Sequence, residues 1–240
     1  MFKPMNSMEI LKFRILRYKP GNIDPSRFQT FEVAVGRDRS ASVLDCLEQI
    51  RLKHDPTLMY RHSCHHSSCG TCACQINGTP RLACITKLNQ LPIGPVIIGP
   101  LEGFDCIADL VVNMDDFFKD IDCKWSYLQT DRSTETPPPP SGMRAWTRLE
   151  NCIECGCCVS ACPVLHENSA FMGPAALAAV NRQYRKFPHQ RKRLLAVAGG
   201  HRGVKECQRA LACSRMCPTQ VYPARHIDEL RRQLKTPSSA

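Results

Sequence analysis

Cysteine is the residue in this sequence best suited to chemistry, and the chain contains 16 cysteines among its 240 residues. The first set has a C-x4-C-x2-C spacing and a remote fourth member beyond an Asn-Gly turn: Cys64, Cys69, Cys72 and Cys84. This is the plant-type spacing for a 2Fe–2S cluster. Structural zinc is the alternative, although zinc sites usually combine two C-x2-C pairs. Gly70 suits the loop, because a residue without Cβ lets backbone N–H groups approach the sulfides.

A second set lies in the stretch CIECGCCVSACP and has the C-x2-C-x2-C-x3-C-P spacing of paired clusters: Cys152, Cys155, Cys158 and Cys162. In such a pair the fourth cysteine binds the other cluster, so a partner stretch must exist. That partner is CQRALACSRMCP, with matching cysteines at Cys207, Cys213 and Cys217. Crossing ligation predicts a 4Fe–4S cluster bound by these four residues: Cys152, Cys155, Cys158 and Cys217.

Ala210 occupies the position in the partner stretch where the second cysteine would lie. Three thiolates remain for the other cluster, from Cys162, Cys207 and Cys213. Because three thiolates cannot hold a fourth iron at its corner, we predict a 3Fe–4S cluster there. A four-iron cluster with water or another residue on its last iron is the alternative.

Five cysteines fall outside these sets: Cys46, Cys74, Cys106, Cys123 and Cys157. Their spacing assigns them no role, and we expect most of them to be small buried hydrophobic residues. His65 and His66 lie inside the first cysteine loop. Proton-coupled tuning of the cluster and simple solvation are the two interpretations of these histidines.

Composition favours metal-bound thiols over disulfides. The N-terminus lacks a signal-peptide pattern, and the tight local spacing of the cysteines suits chelation. We expect the chain not to cross a membrane, since its most apolar stretch, LPIGPVIIGPL, is short and contains three prolines. The formal charge of +10 is only weak support for a nucleic-acid partner, because cluster thiolates would offset about half of it.

The stretch DRSTETPPPPSG predicts an extended linker over residues 131–142. It separates a 2Fe–2S ferredoxin-type domain, residues 1–130, from a helical domain for the other clusters, residues 143–240. In the first domain, apolar residues alternate in two predicted strands, around Phe13 and Val33. A helix over SVLDCLEQIRL and a hairpin at Asn77-Gly78 follow. DLVVNMDDFFKDI is expected to form the exit helix of this domain.

In the second domain, apolar residues recur at helical spacing from Leu177 to Phe187, and Gly199-Gly200 is expected to end the next, basic helix. A last helix is marked by Ile227, Leu230 and Leu234. The second domain is therefore predicted to be mainly helical.

The order of these motifs resembles that of the iron–sulfur subunits of succinate dehydrogenase and fumarate reductase, the succinate:quinone oxidoreductases. The resemblance covers almost the whole chain and rests on YRHSCHHSSCGTCACQINGTPRLAC, DLVVNMDDFF, CIECGCCVSACP, GPAAL and CQRALACSRMCP. It implies an α+β fold, in which an N-terminal plant-type ferredoxin (β-grasp) domain is followed by an all-helical bacterial-ferredoxin-like domain.

The resemblance also implies a function. Such a subunit carries electrons between the FAD of a flavoprotein subunit and a quinone at a transmembrane anchor, through the 2Fe–2S, 4Fe–4S and 3Fe–4S clusters. It implies a peripheral location on the cytoplasmic face of a prokaryotic cell membrane and an anchor that can carry haem. It implies no nucleic-acid partner and no catalytic residue for the dicarboxylate in this chain. The physiological direction and the number of copies stay open.

The sequence departs from the family around the expected quinone pocket. Members that reduce ubiquinone carry a tryptophan after the position of Cys162 and often a histidine after that of Cys207. Here PVLHENSAF contains no tryptophan and Gln208 follows Cys207, which favours menaquinone. The expected pocket residues are Val164, His166 and Gln208, with His166 as a hydrogen-bond donor.

Two other functions fit parts of the pattern. One is the iron–sulfur subunit of another flavoprotein oxidoreductase, such as a soluble thiol-linked fumarate reductase, but such relatives more often keep a complete second four-cysteine run. The other is a zinc-binding module with a basic face for nucleic acid, which would be colourless.

Overall fold

The computed structural model describes residues 8–122 and 151–235 of the chain. It divides between Asn113 and Met114 into two compact units. The predicted linker, residues 131–142, lies outside the described residues, so the boundaries at residues 130 and 143 stay predictions.

The first unit is built on a mixed five-stranded sheet with the order β2-β1-β5-β3-β4. Strand β1 is antiparallel to β2 and parallel to β5, as expected for the β-grasp arrangement. A separate two-stranded ribbon joins β6 and β7. The elements are β1 (Met8–Lys19), β2 (Ile23–Gly36), α1 (Val43–Lys53), β3 (Ala73–Ile76), β4 (Thr79–Leu82), β5 (Val96–Gly99), β6 (Cys106–Ala108) and β7 (Val111–Val112).

Local sequence explains the first strands and the first helix. The predicted alternation is confirmed, because Phe13 in β1 and Val33 in β2 are fully buried while their neighbours along each strand face outward. Helix α1 begins with a capping box: the Asp45 backbone N–H donates to the Ser42 hydroxyl at 3.1 Å, and the Ser42 N–H donates to the Asp45 carboxylate at 2.7 Å. The predicted helix over SVLDCLEQIRL is therefore present.

The hairpin prediction is confirmed and the exit-helix prediction is mostly wrong. Asn77 and Gly78 join β3 to β4 with φ values of 50° and 71°, the left-handed backbone that a two-residue hairpin turn requires. In DLVVNMDDFFKDI only α2 (Asp115–Phe118) is helical. Val111 and Val112 instead form β7, because these β-branched residues pair with β6 and are buried.

A buried ion-pair network fixes the segment that leads into the first cysteine loop. The Arg17 side chain is 1% exposed and contacts the carboxylates of Asp55, at 2.6 Å, and Asp109, at 3.0 Å. The Asp109 carboxylate also accepts the backbone N–H groups of Tyr18 and Met59, both at 2.9 Å. Burial alone would raise the pKa of Asp55, but hydrogen bonds from Thr57 and Arg17 outweigh it and hold this pKa well below its usual value.

Replacing Asp109 by alanine is expected to lower the free energy of unfolding by about 3–5 kcal/mol, because the Tyr18 and Met59 N–H groups would lose their acceptor and buried Arg17 would keep only the Asp55 carboxylate. Glu32→Ala is the matched control, since Glu32 pairs with Lys12 at 3.9 Å on the exposed surface and should cost less than about 1 kcal/mol. Urea unfolding of both full-length variants measures the difference. Equal losses would contradict the structural importance of the Arg17 network.

Helices are the regular secondary structure of the second unit over its described residues, 114–122 and 151–235. Leu177, Val180, Leu194, Ile227 and Leu230 form its core where the three longest helices meet. The predicted helical spacing is thereby confirmed, and Gly200 follows the last residue of the basic helix as expected. After α2, the helices are α3 (Cys157–Ser160), α4 (Pro163–Glu167), α5 (Gly173–Lys186), α6 (Arg191–Gly199), α7 (Ala212–Arg215) and α8 (Pro223–Lys235).

Within residues 8–122 and 151–235, none of the helices combines the length and apolar character needed to span a bilayer.

Candidate metal centres

The first cysteine loop connects α1 to β3 and aims backbone N–H groups at sulfur. The N–H groups of His66, Ser68 and Cys69 lie 3.5, 3.3 and 3.4 Å from the Cys64 Sγ. The loop achieves this with left-handed backbone at His65 and Ser67, where φ is 62° and 63°. Hydrogen bonds from the Ser68 side chain and from the His66 backbone are the main cause that lowers the pKa of Cys64 to about 5. These donors would stabilise a cluster-bound thiolate.

The remaining cysteines of this set close on the same loop. Gly70 has a φ of 72°, a left-handed backbone that favours glycine, while the predicted close approach of N–H groups to the sulfides stays a prediction. The Ala83 N–H donates to the Cys72 carbonyl at 3.1 Å, which brings Cys84, two residues after β4, beside Cys72. Burial raises the pKa of Cys72 to about 12, and the neighbouring Cys84 and Cys69 also act on it. The structure thus brings the four predicted 2Fe–2S ligands together.

The second set lines one cavity in the helical unit. Its sulfur-bearing residues come from both cysteine stretches, as crossing ligation requires: Cys152, Cys155, Cys158 and Cys217. The rest of the wall is largely apolar and includes Ala175 and Ala178 of α5. Burial raises the pKa of Cys152 to about 11 and that of Cys158 well above its usual value, with the other three cysteines adding to the effect on Cys158. Bound iron would relieve this cost by replacing the thiol protons.

A buried histidine holds the loop that carries Cys217. His226 is 4% exposed; its Nδ1 accepts from the Asn181 amide at 2.8 Å, and its Nε2–H donates to the Val221 carbonyl at 3.1 Å. The Val221 N–H in turn donates to the Cys217 Sγ at 3.3 Å. Through His226, helix α8 therefore holds the Val221 N–H in place as a hydrogen-bond donor to the sulfur of Cys217.

The third set consists of three cysteines from the same two stretches: Cys162, Cys207 and Cys213. Burial, together with the nearby Cys162 and Cys207, raises the pKa of Cys213 to about 11. Burial also raises the pKa of Cys162, and Cys207 adds to that shift. Cys162 and Cys213 are each 8% exposed, whereas Cys207 is partly exposed. The predicted 3Fe–4S ligands are therefore neighbours.

The two cysteine stretches of the helical unit have the same backbone conformation around Cys155 and around Ala210. Glu154 and Gly156 flank Cys155 with φ values of 54° and 78°, and Arg209 and Leu211 flank Ala210 with 61° and 59°. The short helices α3 and α7 follow at matching positions. Ala210 therefore stands in the second stretch where Cys155 stands in the first. Its carbonyl accepts from the Arg215 guanidinium at 3.0 Å.

The cysteines outside the three sets are mostly buried, as predicted. Cys46, Cys74 and Cys157 are 2%, 3% and 0% exposed. Burial raises the pKa of Cys46 to about 12. Cys106 is partly exposed and its thiol lies 3.4 Å from the Asp109 carbonyl, while Cys123 falls outside the described residues.

The residues expected in the quinone pocket differ in their surroundings. Val164 is 5% exposed and packs in the core of the helical unit. The His166 Nε2 lies 2.8 Å from the Ser160 carbonyl oxygen. Gln208 is exposed beside Cys207.

Arg182 is a functional candidate that the cysteine spacing does not reveal. It is 5% exposed on α5 and lines the same cavity as Cys152 and Cys155. Burial raises the pKa of Glu154 on the cavity wall, and the charge of Arg182 opposes that shift. The available signal was a charged residue that follows the small apolar residues Ala175 and Ala178 at helical spacing. A cation here favours the more negative, reduced state of a cluster.

Replacing Arg182 by glutamine is expected to lower the midpoint potential of the 4Fe–4S cluster by on the order of tens of millivolts. Arg182→Lys retains the charge and should retain most of the potential. Arg185→Gln is the control on the same helix, where Arg185 is partly exposed and pairs with Glu229 at 3.8 Å. Redox titration followed by EPR measures all three variants. Equal shifts in the Arg182→Gln and Arg185→Gln variants would contradict a role for the Arg182 charge.

The donor chemistry of the three sets fits iron–sulfur clusters. Each set supplies thiols alone, and backbone N–H groups point at sulfur in both units, as at Cys64 and Cys217. A plant-type ferredoxin unit followed by a bacterial-type, two-cluster unit defines an iron–sulfur electron carrier.

Comparison with known proteins identifies the family of this carrier. Residues 12–119 match the 2Fe-2S iron-sulfur cluster binding domain and residues 148–221 match the 4Fe-4S dicluster domain. The fumarate reductase iron-sulfur subunit of Haemophilus influenzae is 30% identical over 94% of this chain and 93% of its own length. The succinate dehydrogenase iron-sulfur subunit of Coxiella burnetii is 32% identical over 93% of this chain and 97% of its own length.

The fold agrees with these relationships. A chain of the Mycobacterium smegmatis Sdh1 complex superposes with a TM-score of 0.78 at 20% identity, covering 97% of this chain and 100% of that chain. This protein belongs to the family of iron–sulfur subunits of succinate dehydrogenase and fumarate reductase. It is an electron-transfer subunit of an oxidoreductase, with 2Fe–2S and 4Fe–4S cluster domains. Membership of this family implies a flavoprotein and a membrane anchor as partners in a complex.

Proposed function

We propose that this subunit carries electrons between the FAD of its flavoprotein partner and a quinone at the membrane anchor, through 2Fe–2S, 4Fe–4S and 3Fe–4S clusters in that order. The observation that carries the proposal is the grouping of Cys162, Cys207 and Cys213 around a position where Ala210 replaces the fourth thiol. When bound, the clusters supply one-electron transfer. The chain supplies thiolates, N–H donors to sulfur and a buried cation.

The surface beside the third cluster supports a quinone at that end. A groove of about 830 Å³ is lined by Cys207, Arg209, Leu211, Tyr222 and Ile227, among others. Leu211 is 51% exposed although it has the left-handed backbone that favours glycine, so an apolar side chain is held outward beside Cys207. The groove also carries charge, because Arg209, Arg215, Arg225, Asp228 and Arg231 line it, so it offers a quinone apolar contact from Leu211 and Ile227 together with guanidinium donors for the quinone oxygens. The predicted pocket residues Val164, His166 and Gln208 are not among those that line this groove; Gln208 is exposed between two residues that do, Cys207 and Arg209.

Menaquinone is the proposed quinone, on the sequence departures after Cys162 and Cys207. The complex is proposed to lie with this subunit on the cytoplasmic face of a prokaryotic membrane. The dicarboxylate chemistry belongs to the flavoprotein in this proposal, because the residues assembled in this chain are cluster ligands rather than acid–base groups.

Low-temperature EPR of the anaerobically purified complex tests the proposal. The air-oxidised sample should give the signal of an oxidised 3Fe–4S cluster, and succinate should then reduce the 2Fe–2S cluster. A silent oxidised spectrum followed by two reduced 4Fe–4S signals would overturn the assignment at Ala210. Reduction of added menaquinone by succinate, measured against ubiquinone, tests the quinone separately.

A further inference from the structure

Three metal-binding side chains that take no part in the cluster sets converge beside the first cysteine loop. They are Glu48 on α1, His62 before the loop and His65 inside it. The His62 Nδ1 lies 3.1 Å from the His65 Nε2, and the Glu48 Oε1 lies 3.6 Å from the first nitrogen and 3.5 Å from the second. One atom of each residue therefore occupies a corner of a nearly equilateral triangle.

The triangle matches the first coordination sphere of zinc. Tetrahedral zinc with bonds of about 2.0–2.1 Å separates its ligand atoms by about 3.3–3.4 Å. The three measured distances scatter around this value, and a point about 2 Å from all three atoms exists. Two imidazoles and a carboxylate favour borderline divalent ions over Mg²⁺ and Ca²⁺, which prefer oxygen donors alone. The exposed fractions of 33–44% leave room for water as a fourth ligand.

The side chains are held in this arrangement by their own supports. Helix α1 is fixed at its start by the capping box of Ser42 and packs its apolar face into the unit, so the backbone that carries Glu48 is fixed. The His62 ring packs on Tyr60, with the ring centroids 5.3 Å apart. His65 takes its direction from the left-handed backbone that also forms the cysteine loop. A metal would therefore find the ligand atoms preorganised.

We propose that Glu48, His62 and His65 form a binding site for a borderline divalent cation such as Zn²⁺, adjacent to the 2Fe–2S loop. His65 directly follows the cluster ligand Cys64, so a bound dication adds positive charge next to the cluster. This charge favours the reduced cluster and raises its midpoint potential. By linkage, the reduced protein binds the cation more tightly by the same factor. Binding itself does not depend on the proposed quinone function; the potential shift rests on the 2Fe–2S assignment.

The alternative arrangement of the same atoms is metal-free. At 3.1 Å the two histidines can share a hydrogen bond between neutral rings, with Glu48 accepting from one of them. This arrangement needs no cation and predicts no zinc affinity beyond that of isolated surface histidines. The two possibilities are therefore separated by a binding measurement.

The experiment uses the full-length chain loaded with its clusters, with iron and sulfide contents checked so that empty cysteine sites do not bind zinc. Competition with a chromophoric chelator measures one equivalent of Zn²⁺, and zinc X-ray absorption should report nitrogen and oxygen neighbours. Glu48→Gln leaves the cysteine loop intact and is expected to weaken binding more than about 10-fold, and His65→Ala more than about 100-fold. His54→Ala removes an exposed histidine of the same unit and should leave the affinity unchanged.

Zinc should also raise the 2Fe–2S midpoint potential in the unsubstituted chain but not in the Glu48→Gln variant, when each is titrated by EPR with and without Zn²⁺. Equal zinc affinity in the Glu48→Gln and His54→Ala variants, or sulfur neighbours in the zinc spectrum, would overturn the site. A zinc-independent potential with intact one-equivalent binding would overturn the coupling to the cluster. Failure of the quinone assay would leave these three measurements unaffected.

Discussion

Replacing Cys217 by alanine is expected to remove the 4Fe–4S cluster while the signal of the proposed 3Fe–4S cluster persists, although Cys217 lies only four residues after Cys213 in the sequence. The reason is that Cys217 lines the cavity of Cys152, Cys155 and Cys158, and its sulfur accepts the Val221 N–H inside that loop. Loss of a direct ligand should reduce occupancy of this cluster by more than about 10-fold. EPR of the dithionite-reduced and air-oxidised complex measures the two clusters separately.

Cys157→Ala is the matched control for this substitution. Cys157 also lies in a cysteine stretch and is fully buried, but the spacing and the cavity both assign the ligand role to its neighbour Cys158. The variant should keep all clusters and show only a modest loss of packing. Loss of the 3Fe–4S signal alone in the Cys217 variant would reverse the crossing assignment. Loss of the 4Fe–4S cluster in the Cys157 variant would instead show that Cys157, and not Cys158, is the ligand.

The parts of this protein that sequence could predict are those fixed by local spacing. The cysteine sets, the Asn77-Gly78 hairpin and the capped helix α1 each depend on residues within a few positions of one another, so the pattern contains the geometry. Crossing ligation is the exception, since it joins Cys217 to a stretch far earlier in the chain. It was predictable because the C-x3-C-P spacing itself implies the exchange.

Features set by tertiary packing were not predictable in the same way. The Arg17 network depends on Asp55 and Asp109, which lie far apart in sequence and meet only when β1 is packed. Val111 and Val112 form a strand because they pair with β6, and this tertiary pairing outweighs the local tendency to form a helix. The left-handed conformation and the exposure of Leu211 could be seen only once the backbone was known. Alignment of the two cysteine stretches does, however, place Leu211 opposite Gly156.

Replacing Ala210 by cysteine is expected to convert the proposed 3Fe–4S cluster towards 4Fe–4S. The backbone around Ala210 already matches that around Cys155, with left-handed residues on both sides, so a thiol at this position would point as the second ligand does. Ala210 is exposed, which leaves space for the added sulfur. The fourth iron should lower the midpoint potential by on the order of 100 mV or more, and succinate should then reduce this cluster poorly.

Ala212→Cys provides the control, because Ala212 matches the non-ligand Cys157 in the repeated backbone and adds a thiol two residues from Ala210. It should leave the oxidised 3Fe–4S signal and its potential unchanged. Iron content and the oxidised EPR signal decide the outcome. If the third site already held four irons with water on the last one, Ala210→Cys would leave the iron content unchanged, and the unsubstituted protein would give no oxidised 3Fe–4S signal in anaerobic samples. Conversion in the Ala212 variant would show that a nearby thiol suffices, and that the ligand position is not fixed by the backbone of the repeat.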